Sequence, residues 1–295
     1  MNALEIDLLA DWNLNPSIWL GTALLIGFYL YSVGPLRRRY RLADEVSSRK
    51  TGAFLAGTLV MFLALASPLD EIGDKYLFSA HMVQHLLITA VAPPLWLLGT
   101  PDWLLRPLIQ PPVIKKTLRF LTRPPVAFLL FNGSFALWHL PVLYDLTLRN
   151  ETVHILEHLI FMGTAVLNWW PIFGPLPEEF PHLPNMSQVL YLFANCQVMV
   201  GLGALLFFTS GSPVYAPYFT APRLFGLSVA DDQMLGSLIM WIPGNLVYLI
   251  VMSIAFYFWF NEQERKQQER EALEDARLAA EQAQAQMAEQ PLSPL

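Results

Sequence analysis

Seven long apolar stretches separated by polar connections leave this chain of 295 residues few ways to fold. They lie near Ser17–Val33, Gly52–Ala66, Phe78–Leu98, Pro125–Leu140, Thr152–Trp170, Gln188–Thr209 and Met234–Phe260. A helix crossing a hydrocarbon core of roughly 30 Å needs about 20 predominantly apolar residues, fewer when flanking residues snorkel, and each stretch approaches that length. Backbone groups in lipid must be satisfied within the segment or in a closed barrel, and uninterrupted apolar runs of this kind read as helices. The expected fold class is therefore all-α: a polytopic membrane bundle of seven transmembrane helices. Residues 1–16 form a short periplasmic segment, 17–260 the seven-helix transmembrane domain and 261–295 a charged helical tail on the cytoplasmic side. The second and fourth spans are the shortest.

Composition agrees and excludes several classes. With 54% hydrophobic and only 14% charged residues the chain is too apolar for an ordinary soluble domain. Its net charge of -6 leaves no strongly basic surface for nucleic acid. The single cysteine, Cys196, excludes an intrachain disulfide and a thiolate metal cage. Residues 1–12 carry acids rather than a basic n-region and lack a small-residue cleavage site, so no cleavable signal peptide is expected.

Lysine and arginine favour cytoplasmic loops, and they are unevenly distributed. Arg37, Arg38, Arg39, Arg41, Arg49 and Lys50 follow the first span, and Arg106, Lys115, Lys116, Arg119 and Arg123 follow the third. The alternate loops hold only Lys75, Arg149 and Arg223. The N-terminus is thus expected outside and the C-terminus, with Arg265, Lys266, Arg270 and Arg277, inside. Trp12 and Trp19 would mark the outer interface, and Trp96, Trp103, Trp169, Trp170 and Trp259 the inner one.

On this topology five of the six histidines share one layer. The pairs His81/His85 and His154/His158 open the third and fifth spans, roughly 5 to 12 Å below the outer boundary at 1.5 Å rise per residue. His139 closes the fourth span and reaches the same level from below. An i, i+4 pair puts both rings on one helix face, so each helix offers two nitrogens to one centre. Imidazoles in a membrane span are costly unless they meet a partner, a cavity or a metal, and neutral imidazole suits copper, zinc, iron and nickel. His81, His85, His139, His154 and His158 are accordingly the candidate metal ligands. Glu157, Asp70, Glu71, Asp74, Asp145, Asp231 and Asp232 lie nearby, where carboxylates either orient imidazole N–H groups or simply solvate loops. His182 falls on the inner side, away from the layer. Cys196, Met82, Met199 and Met234 read as packing, and Asn132, Asn195, Gln197 and Asn245 as interhelical hydrogen-bond glue. The tail, rich in Glu, Gln, Ala and Arg, reads as a solvated helix that frays at Pro291 and Pro294.

Several segments carry a family resemblance: Ser79–Leu87 with its two histidines, Ala92–Leu95, Leu98–Pro101, Trp138–Pro141 with Tyr144 and Asp145, and His154–His158 followed by Trp169–Pro171. In that order they resemble the CtaG family of cytochrome c oxidase assembly factors, strongly over roughly Leu65–Pro171 and more loosely beyond, with the tail outside the match. The resemblance implies a seven-helix, multi-pass protein of the bacterial plasma (inner) membrane that helps mature haem-copper oxidases by handling copper. Its motifs fall on His81, His85, His139, His154 and His158. The same name is used for an unrelated single-span, thiol-bearing copper chaperone, whose cysteine signature this chain lacks.

The expected function is that of a non-enzymatic assembly factor. Copper would bind an outward-facing histidine cluster and pass to a nascent haem-copper oxidase subunit, directly or through a periplasmic copper chaperone. Two alternatives stay open. One imidazole from each pair could ligate a b-type haem in an electron-transfer protein. A zinc-bound water with Glu157 as base could serve a membrane hydrolase, although the HxxxH elements lack the glutamate that zinc proteases place after their first histidine.

Overall fold

The structure is a computed structural model that describes residues 12–289; the expectations for the N-terminal segment before Trp12 and for fraying at Pro291 and Pro294 fall outside the described residues. No strand occurs among the described residues. The chain runs as α1 (Pro16–Tyr40), α2 (Ser48–Ala66), a short α3 (Pro68–Lys75), α4 (Phe78–Gly99), α5 (Asp102–Ile109), α6 (Pro112–Leu121), α7 (Pro124–Trp138), α8 (Pro141–Arg149), α9 (Glu151–Phe173), α10 (Asn185–Phe208), α11 (Val229–Trp241) and α12 (Pro243–Glu289).

All seven apolar stretches are helical, but they do not all pass as membrane spans on length and composition. Among the described residues five helical stretches do, Pro16–Tyr40, Ser48–Ala66, Phe78–Gly99, Asn185–Phe208 and Val229–Gln284, or six if the bent pair α7 and α8 is one span. The 23-residue α9 is long enough, at about 34 Å. It buries His154, Glu157, His158 and Asn168 along its length, which dilutes its apolar character.

Proline shapes the bundle. In α4, Pro93 and Pro94 have no N–H to donate back up the helix, and the preceding stretch Leu87–Val91 widens into a π-turn. The Thr89 carbonyl, four residues before Pro93, accepts instead from the Trp169 indole N–H at 3.1 Å. Pro141 acts more sharply. The helix α7 stops at Trp138, and the chain bends by 75° into α8, so His139 sits at a corner rather than inside a straight span.

Small residues bring the helices close. A Cβ on Gly99 would lie 2.4 Å from the backbone nitrogen of Phe54, and α2 packs along the end of α4 at that contact. A Cβ on Gly236 would sit 2.4 Å from the Phe78 ring, where α11 meets the start of α4. Trp169 and Trp170, expected in an interfacial belt, belong to the core instead: Trp169 stacks on Tyr248 with ring centroids 4.8 Å apart. Of the expected glue, Asn132 and Asn195 bond to each other at 2.8 Å, whereas Gln197 reaches back only to its own helix and Asn245, in the first turn of α12, only to the Trp241 carbonyl at the end of the preceding α11. Beyond the bundle, α12 continues as an exposed charged helix laced by i, i+4 pairs such as Glu262–Lys266 and Arg277–Glu281.

Candidate metal centre

The first histidine pair rests on a helix that cannot cap itself. Leu77, before α4, has no side-chain oxygen, and the free N–H groups of Phe78 and Ser79 donate instead to the Asp232 carboxylate, at 2.8 and 3.0 Å. Asp232 is therefore a long-range cap that fixes where His81 and His85 begin their turn, not a partner of an imidazole. The second pair sits on α9, whose N-terminus is capped by Asn150, its Oδ1 accepting from Thr152 and Val153.

Five histidines converge at this end of the bundle. Ring centroids are 4.1 Å apart for His81 and His85, 4.2 Å for His154 and His158, 5.5 Å for His81 and His154, and 5.5 Å for His85 and His158. His139 joins from the corner, 6.2 Å from His85. All five are buried. His139 donates from Nδ1 to the Phe135 carbonyl at 2.7 Å, which leaves Nε2 as the free lone pair. His182 stands apart, bonded to the Gly174 carbonyl.

The ring nitrogens are mostly without partners. Among the described residues, both nitrogens of His81 and of His85 and the Nε2 atoms of His139, His154 and His158 are buried with no hydrogen bond. Buried polar groups in native structures are normally paired, and an unpaired one costs roughly 1 to 3 kcal/mol. Imidazole lone pairs fit a borderline transition-metal ion, and of these rings His81, His85 and His154 bring ligand atoms close enough to share one, whereas His139 and His158 stand beside them outside those groups among the described residues.

Two carboxylates complete the set, and spacing alone singled out neither. Asp74, on α3, has one oxygen 3.4 Å from His81 Nδ1 and the other 3.2 Å from His154 Nδ1. Gly73 makes that reach possible, because a Cβ there would lie 3.0 Å from the backbone of His81. Burial opposes the Asp74 charge, but His154 and His81 outweigh it and hold the carboxyl below the ordinary range. Glu157, on α9, is fully buried, and neither of its oxygens has a hydrogen-bond partner. Ligand atoms of Asp74, His81 and His154 lie within 4.8 Å of one another, and so do those of His81, His85 and Glu157. The sequence held a signal for Glu157: it is three residues after His154, hence on the same helix face.

The remaining acids are otherwise engaged. Asp70 accepts from Asn13 at 2.7 Å and from Gln84 at 2.6 Å, Glu71 pairs with Lys75, Asp145 faces Arg149, and Asp231 closes a capping box with Ser228. Aromatic residues roof the cluster. Tyr144 lies 5.3 Å from the His81 ring and shares a 2.9 Å hydrogen bond with Tyr218, while Tyr218 donates to the Gly73 carbonyl and Tyr215 to the His139 carbonyl. Asp74, with 27% of its side chain exposed, forms the solvent edge of the site.

A family model described as cytochrome c oxidase caa3 assembly factor (Caa3_CtaG) matches residues 27–262. An uncharacterized protein of Mycobacterium leprae is 27% identical over 262 residues, covering 83% of this chain and 39% of its own length. Uncharacterized proteins of Mycobacterium bovis and Mycobacterium tuberculosis are each 26% identical over 263 residues, covering 83% of this chain and 38% of theirs. The chain thus spans about two fifths of the length of the curated relatives it matches. No solved structure matches the chain.

Proposed function

The chain belongs to the caa3-type CtaG family of cytochrome c oxidase assembly factors, and on that premise we propose that it handles copper destined for a haem-copper oxidase. Copper is the cargo, taken up by His81, His85, His139, His154 and His158 and released to an oxidase subunit or to a periplasmic chaperone that serves one. The role is not enzymatic. The observation that supports this reading is the gathering of five buried imidazoles, with seven ring nitrogens unpartnered among the described residues and ligand atoms of His81, His85 and His154 in close groups with Asp74 and Glu157. Imidazoles without thiolate hold copper less tenaciously than a cysteine cage, as a site that must give up its ion requires.

The same proposal includes seven spans in a bacterial inner membrane, with α9 as the span that length and composition alone omit. Its four buried polar residues face protein rather than lipid, which is how polar side chains persist in a membrane helix. Basic residues support an outward-facing histidine end: Lys50 and Arg106 line one cavity with Leu97, Thr100 and Gly174, at the far ends of α4 and α9 from their histidines.

Crowding favours copper over b-type haem. A porphyrin must slide between its axial imidazoles, yet here neighbouring rings and Phe161, 4.9 Å from His85, fill that space. The test is metal analysis of the full-length protein purified in detergent, with an absorption spectrum of the same sample. Stoichiometric copper without a Soret band is expected. Changing His81 or His154 to Ala should weaken copper by more than the roughly 100-fold that outer partners of a metal site contribute. No copper uptake, or uptake surviving both changes, overturns the proposal.

A further inference from the structure

Resting on the copper-handling reading, we infer that Glu157 is a direct metal ligand and that the cluster is built for a divalent ion, copper(II) rather than copper(I), with Asp74 positioning His81 and His154 from behind.

The inference starts from charge. Moving an ion into a dry, low-dielectric setting is unfavourable unless its charge is matched nearby. Two carboxylates come within ligand distance of His81, Asp74 in one group and Glu157 in the other. Among the described residues neither is paired with a lysine or arginine; the basic side chains of this region are engaged elsewhere, Lys75 with Glu71, Arg149 with Asp145 and Arg223 with the Tyr76 and Tyr218 carbonyls. Neutral imidazoles add no charge. Within the two ligand groups a dication with two carboxylates sums to zero, whereas a monocation leaves one negative charge uncompensated; Asp70 lies outside both groups, its oxygens held by the Asn13 and Gln84 amides.

The two carboxylates are not equivalent. The oxygens of Asp74 face the Nδ1 atoms of two rings, the arrangement in which a carboxylate accepts N–H and leaves Nε2 for the metal. Glu157 faces no such donor. Both its oxygens are buried without a partner, and one lies within 4.8 Å of a nitrogen of His81 and of His85. An oxygen ligand beside imidazoles suits copper(II) or zinc(II), while copper(I) prefers soft sulfur; the single cysteine, Cys196, packs in the core and is absent from both ligand groups.

The experiment compares copper(II), zinc(II) and copper(I), the last under reductant, by competition with chelators of known affinity. It uses the full-length protein and its Glu157→Gln variant. Glu157→Gln should weaken copper(II) and zinc(II) by at least about tenfold and copper(I) by less than about threefold, the copper(I) value also reporting that the variant is folded. Equal losses for both oxidation states, or no loss in either, overturn the inference. X-ray absorption of the zinc-loaded wild type gives an answer independent of any variant: a mixed nitrogen and oxygen shell with a carboxylate supports it, and an all-nitrogen shell overturns it. Wild-type protein that binds only copper(I) defeats this inference and leaves the copper reading standing; protein that binds copper in neither state defeats both.

Discussion

The histidine end and the middle of the bundle both bury polar side chains among apolar helices, and they do so in opposite ways. In the middle, Asn132 donates to Asn195 at 2.8 Å, Asn195 to the Tyr191 carbonyl at 2.9 Å, and the Tyr191 hydroxyl to Asn168 Oδ1 at 2.6 Å. That chain is nearly closed, with Asn132 Oδ1 its one unpartnered atom. At the histidine end the orphans are the rule: seven ring nitrogens and both oxygens of Glu157 have no partner among the described residues. A closed network holds helices together; an open one, kept at a standing cost in stability, is explained by a ligand that closes it. Burial alone does not separate the two, because Asn195 is as buried as His81. Satisfaction does.

The difference is tested most strongly at Asp74, the one carboxylate that touches two of the open rings. Asp74→Asn keeps the shape but removes the negative charge that lies 3.4 and 3.2 Å from the Nδ1 atoms of His81 and His154. Copper affinity should fall by about 10- to 100-fold, the range for losing an outer partner of a metal-bound histidine. The metal-free melting temperature should stay near that of wild type, since Asp74 is partly exposed and makes no interhelical bond except to the cluster. A large loss of metal-free stability with copper affinity intact would move Asp74 into the closed class.

Asp70 sits four residues earlier on the same short helix and belongs to the other class, because both its oxygens are hydrogen-bonded. Burial, reinforced by the charge of Asp74, pushes its carboxyl up to about 6. The folded state then holds a proton on Asp70 between about pH 4 and 6 that the unfolded chain has already released. Stability of the metal-free protein should therefore decline as pH rises through that window and level off above it, by up to about 3 kcal/mol. Denaturation in detergent at pH 4.5 and 7 reads this slope, and Asp70→Asn should flatten it. An unchanged slope in the variant would assign the pH dependence to another group.

Much of the histidine end was legible in the chain. Spacing alone put His81 with His85 and His154 with His158, and the positions of the spans brought the two pairs and His139 to one level. Asp74 was not separable from its neighbours, because its reach depends on Gly73 letting α3 lie against the backbone of His81, a contact between segments. Glu157 stands in sequence next to His158, about 100° around the helix, and only its i, i+3 relation to His154 places it on the ligand face. The corner at His139 was foreshadowed by Pro141, which cannot continue the helix; the π-turn before Pro93 depends on which indole takes up the freed carbonyl, and Trp169 comes from another span. Length and composition alone give five or six spans rather than seven among the described residues for a related reason: the residues that make α9 useful are the ones that make it less apolar.

The smallest effect is expected at Asn195, and it isolates the closed network from the open one. Asn195→Ala removes the acceptor of the Asn132 amide and one donor to the Tyr191 carbonyl. The Asn132 amide retains its bond to the Phe128 carbonyl at 3.0 Å, so no donor is stranded completely. Interhelical polar contacts within membranes are worth about 0.6 kcal/mol on average and rarely more than about 1.7, and the loss should fall in that range. Copper affinity should stay within about twofold of wild type, because no atom of the network touches a histidine ring. If the change instead weakened copper as much as Asp74→Asn does, the two polar regions would be one coupled unit, and satisfaction of hydrogen bonds would no longer distinguish glue from ligand.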